Sequence, residues 1–387
     1  MLAIINVTLV MKDHLIPEAI LVIDQGKIQS FGEMRTTPVP ENCQILDGQG
    51  LYAGPGLVDI HTHTGGEYRL WQHPIPAAQF HLEHGTTTLL PASYPRMTKE
   101  EYIQMADNIR QAMAAPGGEN IAGMYLEGPY INPAYGSNRA ANPWNNKPIV
   151  PEDYEPMIQA CAELARVWGL GPEQENVEAF VQAAHKANPN TVFAVTHSEA
   201  TPQQIEALMP YGLRIGTHHT NATGTIVNYP ECRGVCVDEC VNYNDEIYAE
   251  LICDSRGIHV DPYMLRLVRK IKGDDRIILV SDRSYADAPN PPGYEHVTDI
   301  NFDKWGDIAG SKLTLEVACR NYMVHTGASI VDAFKVGSYN PARATGFADR
   351  GEIREGLRAD LILVDHQMHI HAVILDGQIR QAKESLQ

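Results

Sequence analysis

The apolar residues of the chain gather in short runs, separated by stretches in which they recur every three or four positions. GLVDIHTH occupies 56–63, TTTLLPAS 86–93, IAGMYLEG 121–128 and RVWGLGPE 166–173. TVFAVTHS follows at 191–198, RIGTHHT at 214–220, AELICDS at 249–255 and RIILVSD at 276–282. Short β-rich runs divided by helical patterns are the mark of repeated βα units. The intervening segments KEEYIQMADNIRQAMAA, NVEAFVQAAHKA, TPQQIEALM and DPYMLRLVRKIK are predicted helices. Thr201 before Pro202 and Asp261 before Pro262 are helix-start signals. Eight such units within about 230 residues predict an α/β protein, a closed (β/α)8 TIM-type barrel over residues 54–345. The structural rival is an open doubly wound sheet. That fold usually carries a glycine-rich phosphate turn after its first strand, and this sequence has none there.

Residues 1–53 and 346–387 alternate as short strands with Gly and Asn turns. They are predicted to pair into one small β-sandwich domain beside the barrel, since the two ends of a domain commonly meet. The longest irregular stretch, roughly 221–247, follows the sixth run. A loop of that length is usually functional, so it reads as a cover for a substrate or a contact between subunits, with a plain surface insertion as the alternative.

The runs are apolar along their bodies and end in polar or ionisable residues: His61 and His63, Glu127, Glu173, His197, His218 and Asp282. In a barrel the C-terminal strand ends converge on one face, where active sites sit. A lone histidine is more often structural than a ligand, but six ionisable ends in register are hard to explain as solvated surface. His61 and His63 stand two apart on one strand, so alternation points both imidazoles to one side. With Glu127, His197 and His218 they form a donor set for one or two divalent ions, zinc first, with iron or manganese also suited. Asp282 ends the last run beside this set. A bound metal lowers the pKa of its water to about 7. The carboxylate would take that proton and return it to a leaving group. The alternative for Asp282 is a structural cap.

Charge and cysteine content narrow the picture. The formal net charge is −18, which argues against nucleic-acid binding, since that needs a basic face, and against an anionic membrane surface. An anionic substrate would need local positive groups against that field. No run approaches the roughly 18 apolar residues of a membrane helix, and the N-terminus does not read as a leader. Seven scattered cysteines, an odd number, suit a reducing cytoplasm. Cys232, Cys236 and Cys240 form a C-x3-C-x3-C series. Its spacing is not that of a zinc ribbon, so ordinary thiols are the expectation and a separate metal site the alternative.

Taken in order, PGLVDIHTH, YLEGPYINP, GLGPE, THSEAT, THHTNAT, AELICDSRGIHVDP, LVSD, AGSKLTLEVACRN, NPARATG and GEIREGLRADLILVD resemble the N-acetylglucosamine-6-phosphate deacetylases of the amidohydrolase superfamily. The resemblance covers nearly the whole chain. LEGP, T-H-x-x-N-A and G-I-H-V-D are specific to it, whereas PG-x-x-D-x-H-x-H is shared across the superfamily. Many superfamily members end the fourth strand in a carboxylated lysine. Here that strand ends GLGPE, and Glu127 stands on the third, as in the deacetylases. The resemblance implies Glu127, His197 and His218 as metal ligands, with His61 and His63 completing a second position. It assigns proton transfer to Asp282. It also implies substrate contacts from Asn221, Ala222, His259 and an arginine after the sixth strand, for which Arg233 is the candidate. Three places depart from the family pattern. The loop reads NATGTIVNYPECRGV, Asn138 replaces a histidine that meets the sugar, and S-D-R replaces T-D-A.

The implied reaction is hydrolysis of the acetamide of an N-acetyl amino sugar phosphate, by a cytoplasmic homodimer. The competing readings are an amidohydrolase of another N-acyl amino sugar or N-acyl amino acid, and a non-catalytic barrel homologue.

Overall fold

The computed structural model describes residues 1–224, 227–285 and 288–386. All eight apolar runs contain a strand. In chain order these are Leu57–Thr62, Thr86–Pro91, Met124–Glu127, Ala165–Leu170, Val192–Val195, Leu213–Gly216, Tyr248–Ile252 and Ile277–Val280. The third to eighth form one six-stranded parallel sheet in chain order, and the first and second pair in parallel beside it. Parallel bridges Leu89–Ile121 and Ala92–Tyr125 tie the second strand to the third. At the other end, the Asp282 N–H donates to the His61 carbonyl at 2.9 Å. Asp59, on the first strand, accepts from the Ser281 N–H at 3.3 Å. Burial pushes Asp59 up to about 7 against hydrogen bonds from Ser281 and the His61 N–H.

The strand bodies are buried, as expected of parallel strands covered by helices. Helix Lys99–Met113 opens on a capping box of Thr98 and Glu101. Pro202–Leu208 opens on Thr201 and Gln204, and Pro262–Lys272 on Asp261, whose carboxylate accepts from the Tyr263 N–H. Both prolines sit where a helix has no use for an N–H.

The two chain ends do join. Tyr52–Pro55 pairs antiparallel with Leu361–Val364 at the centre of one eight-stranded sheet. Residues 1–55 supply five of its strands and 361–382 the other three. Alternate positions along these strands point to one face, where Ile4, Leu9, Leu21, Leu361, Leu363 and Ile374 build a core separate from that of the eight parallel strands. The arrangement is one continuous hydrogen-bonded sheet, where the sequence pointed to a sandwich.

Segment 221–247 is more regular than expected. Val227–Tyr229 pairs with Cys232–Arg233, and Val237–Tyr243 is a helix whose first turn is tied by Glu239 to the Cys236 N–H. Residues 225 and 226 of this segment lie outside the described residues. Val237, Cys240 and Val241 bury one face of that short helix, a pattern too brief to stand out among Gly, Pro and Asn. Cys232 is exposed, Cys236 and Cys240 are buried, and all are free thiols. A second excursion, unremarked in the sequence, follows the eighth strand and contains the hairpin Ile300–Phe302 with Ile308–Ser311.

Candidate metal centre

Five of the strand ends converge. Glu127 occupies the middle: its Oε1 lies 2.9 Å from His197 Nε2, 3.4 Å from His218 Nε2 and 3.8 Å from His61 Nε2, and its Oε2 lies 3.4 Å from His63 Nε2. Asp282 faces the same group, with Oδ1 3.3 Å from His63 Nε2 and 3.9 Å from His61 Nε2. His197, His218 and Asp282 each hold a left-handed backbone, with φ of 45°, 29° and 41°. Such conformations are uncommon outside glycine and cost energy that the surrounding structure must supply. Here they turn three strand ends inward at one place.

The rings are held from behind. His61 is fully buried; its Nδ1 lies 2.8 Å from Glu250 Oε1, which also accepts from the His218 N–H at 3.2 Å. His218 Nδ1 lies 3.0 Å from the Asn221 carbonyl. His61 stacks on Tyr125 and His63 on Tyr94, each at 4.4 Å between centroids. An imidazole whose outer nitrogen is fixed by a carboxylate or carbonyl presents its other nitrogen in one direction, as metal ligands do.

Charge follows from these neighbours. Burial opposes a negative Glu127, but hydrogen bonds from His197 and His218, with His61 close by, hold it well below the usual carboxylate range. Burial likewise opposes charge on Asp282, and His63 and His61 hold it low. Burial pulls both His61 and His218 toward the neutral form, yet both end up raised, His61 by Glu250 and Glu127, His218 by Glu127. His197 is lowered by burial and by the neighbouring His218.

These residues fit a divalent cation. His61 Nε2 is buried and has no hydrogen-bond partner among the described residues. The donor atoms of His61, His63 and Glu127 lie within 4.8 Å of one another, as do those of Glu127, His197 and His218. Imidazole and carboxylate are the donors that zinc, iron and manganese share. Among the described residues, no cysteine joins such a group.

The centre opens into a cavity of about 100 Å³. Asn221, Ala222, His259 and Asn138, the expected substrate contacts, all line it. His259 Nδ1 is 3.3 Å from Asp254, whose carboxylate sits at about 2 because hydrogen bonds from His259 and the Ile258 N–H outweigh its burial. His259 Nε2 is buried and unpartnered among the described residues. Arg233 is not there. Its side chain is 78% exposed on the hairpin, paired with Glu239. Glu173 is also turned away: its carboxylate accepts from Asn132, Ser198 and the Glu199 N–H, locking neighbouring loops together.

Two loops roof the cavity. The Asn138 N–H donates to Asp303 at 3.1 Å and Arg139 pairs with Asp307 at 2.6 Å, so the loops after the third and eighth strands clasp each other. Gly310 needs to be glycine: its φ is +71°, and a Cβ would meet the Asp282 carbonyl at 2.7 Å. Sequence reasoning missed Glu250, Tyr94, Ser284 and Tyr285. Only Glu250 carried a signal, a carboxylate inside an otherwise apolar run.

Comparisons with known proteins give the family and the fold. The model of the Amidohydrolase family matches residues 52–380. N-acetylglucosamine-6-phosphate deacetylase of Lysinibacillus sphaericus is 27% identical over 87% of this chain and 87% of that protein. N-acetylgalactosamine-6-phosphate deacetylase of Escherichia coli O157:H7 is 25% identical over 88% of this chain and 90% of its own. Among solved structures, N-acetylglucosamine-6-phosphate deacetylase from Pasteurella multocida superposes with a TM-score of 0.85 at 22% identity, covering 98% of this chain and 99% of that one.

Proposed function

Because the chain belongs to the amidohydrolase family, we propose that it is a metal-dependent deacetylase that cleaves the acetamide of an N-acetyl amino sugar phosphate, releasing acetate and the amino sugar phosphate. One observation carries the reading: four imidazoles crowd one buried carboxylate, and Asp282 faces them at the head of a cavity. We read the eight parallel strands as one closed (β/α)8 barrel over 54–345, with 1–53 and 346–387 as a separate β unit.

His61, His63, Glu127, His197 and His218 would hold one or two divalent ions, zinc before iron or manganese. A cation so held polarises a carbonyl oxygen and acidifies water. The protein does the rest. Asp282, kept ionised, accepts a proton from the attacking water and returns it to the leaving nitrogen, which is a poor leaving group until protonated. Asn221, Ala222, Asn138 and His259 orient the sugar. The clasped loops keep bulk water out. Arg233 stays a candidate only through the homodimer that the family resemblance implies, since it stands outside the cavity of its own chain. Seven free thiols support a cytoplasmic setting, and no described helix is long and apolar enough to cross a membrane.

Asn138, in place of a family histidine, favours a second reading, in which the same chemistry acts on a different N-acyl amino sugar. The test is acetate release from N-acetylglucosamine-6-phosphate, N-acetylgalactosamine-6-phosphate and the two unphosphorylated sugars, with metal analysis of the purified protein. Turnover confined to the phosphorylated pair supports the first reading. Release only from unphosphorylated sugars supports the second, and metal-loaded protein inactive on all four defeats both.

A further inference from the structure

The cavity must receive an anion inside a protein of net charge −18, and its cations are few. Arg139 lines the wall but is held by Asp307 and by the Gly136 carbonyl. Arg96 also lines it, half-buried, and makes no hydrogen bond or ion pair to a described residue. Its guanidinium lies over the Tyr94 ring at 4.7 Å from the centroid. Tyr94 is itself buried, and its other ring contact is the stack on His63.

We propose that Arg96 is a specificity-determining residue that grips the phosphoryl group of the substrate from within the same chain. The proposal rests on the reading of the substrate as an amino sugar phosphate. A guanidinium lying on an aromatic face keeps its N–H donors in its own plane, free to take two oxygens of a phosphoryl group side by side. The stack also fixes the side chain in advance, so little freedom is lost on binding. The distances suit the ligand. The two separations from the Tyr94 ring, 4.4 Å and 4.7 Å, place the guanidinium no more than about 9 Å from the His63 ring. A pyranose with its amide on the second carbon and its phosphoryl group on the sixth spans a gap of that order. His259, with a buried, unpartnered Nε2, lines the same cavity and offers a second polar contact.

The experiment uses the full-length, metal-loaded protein with Arg96→Ala and Arg96→Lys. Kinetics are measured on N-acetylglucosamine-6-phosphate and on N-acetylglucosamine, and binding of inorganic phosphate is measured by calorimetry. Loss of a charge-assisted contact should raise KM for the phosphorylated sugar by about 10–100-fold in the alanine variant. kcat/KM on the free sugar should stay within about 2-fold, and phosphate affinity should fall with KM. Lysine should recover only part, lacking the fork. Equal losses on both sugars, or an unchanged KM, would overturn the proposal. If the wild type cleaves neither sugar, the calorimetry alone decides Arg96. Phosphate bound by the wild type and weakened in both variants supports the site. Phosphate bound equally by all three, or by none, refutes it.

Discussion

Replacing Glu250 by glutamine isolates the contribution of a charge behind the metal centre. Glu250 is fully buried, and its Oε1 serves two of the proposed ligands at once, through His61 Nδ1 at 2.8 Å and the His218 N–H at 3.2 Å. Glutamine keeps the volume and an acceptor oxygen but loses the charge that fixes the His61 ring and makes its other nitrogen more basic. A hydrogen bond to a charged group is worth about 1.5–3 kcal/mol, which at about 1.4 kcal/mol per decade is about 10–150-fold. Replacing groups of this kind behind metal ligands costs about 10–100-fold in metal affinity, so the two scales agree. Affinity should be read by chelator competition with metal analysis, and kcat at saturating metal. We expect affinity to fall by about 10–100-fold while kcat, once metal is restored, recovers to within several-fold. Metal affinity within about twofold of wild type would show that Glu250 does not orient His61 and would refute the reasoning.

Asp282→Asn should lower kcat by about 10²–10⁴-fold with metal content and KM nearly unchanged, because a proton carrier acts mainly in the transition state; steady-state kinetics with metal analysis checks both. Gly310→Ala forces a side chain into a left-handed backbone against the Asp282 carbonyl. It should cost about 1–3 kcal/mol of stability, lower kcat and leave the metal in place, as thermal unfolding and kinetics would show. His81 is fully buried and burial depresses it to about 3, so it contributes stability that is present above its unfolded value of about 6.5 and is lost as pH falls toward 3. His81→Gln lacks that dependence, so the stability gap between wild type and variant should narrow by about 1.4 kcal/mol per pH unit below pH 6.5; a gap independent of pH in urea titrations would count against it.

Much of this architecture was legible in the sequence. The period of the pattern sets where strands and helices form, and the eight runs reappear as eight parallel strands. Alternation along a strand puts His61 and His63 on one side without any tertiary information. The strand ends named the side chains that meet at the candidate metal centre because a parallel strand series delivers all its C-terminal ends to one face. The terminal segments declared their strands, although not that all of them would hydrogen-bond into one sheet.

Other features only the tertiary structure decided. Glu250 supports His61 across 189 positions of sequence, and no local pattern reports such a pairing. Glu173 and Glu127 looked equivalent as strand-end carboxylates, yet one is consumed by loop hydrogen bonds and the other is ringed by imidazoles. Arg233 and Arg96 were likewise two arginines in loops; the first meets Glu239 in solvent, and the second lies on a tyrosine inside the cavity. Spacing along the chain encodes which face of an element a side chain occupies. It does not encode which partner from a distant element will arrive there. That is settled by packing, where burial raises the cost of an unpaired charge and so selects the neighbours that satisfy it.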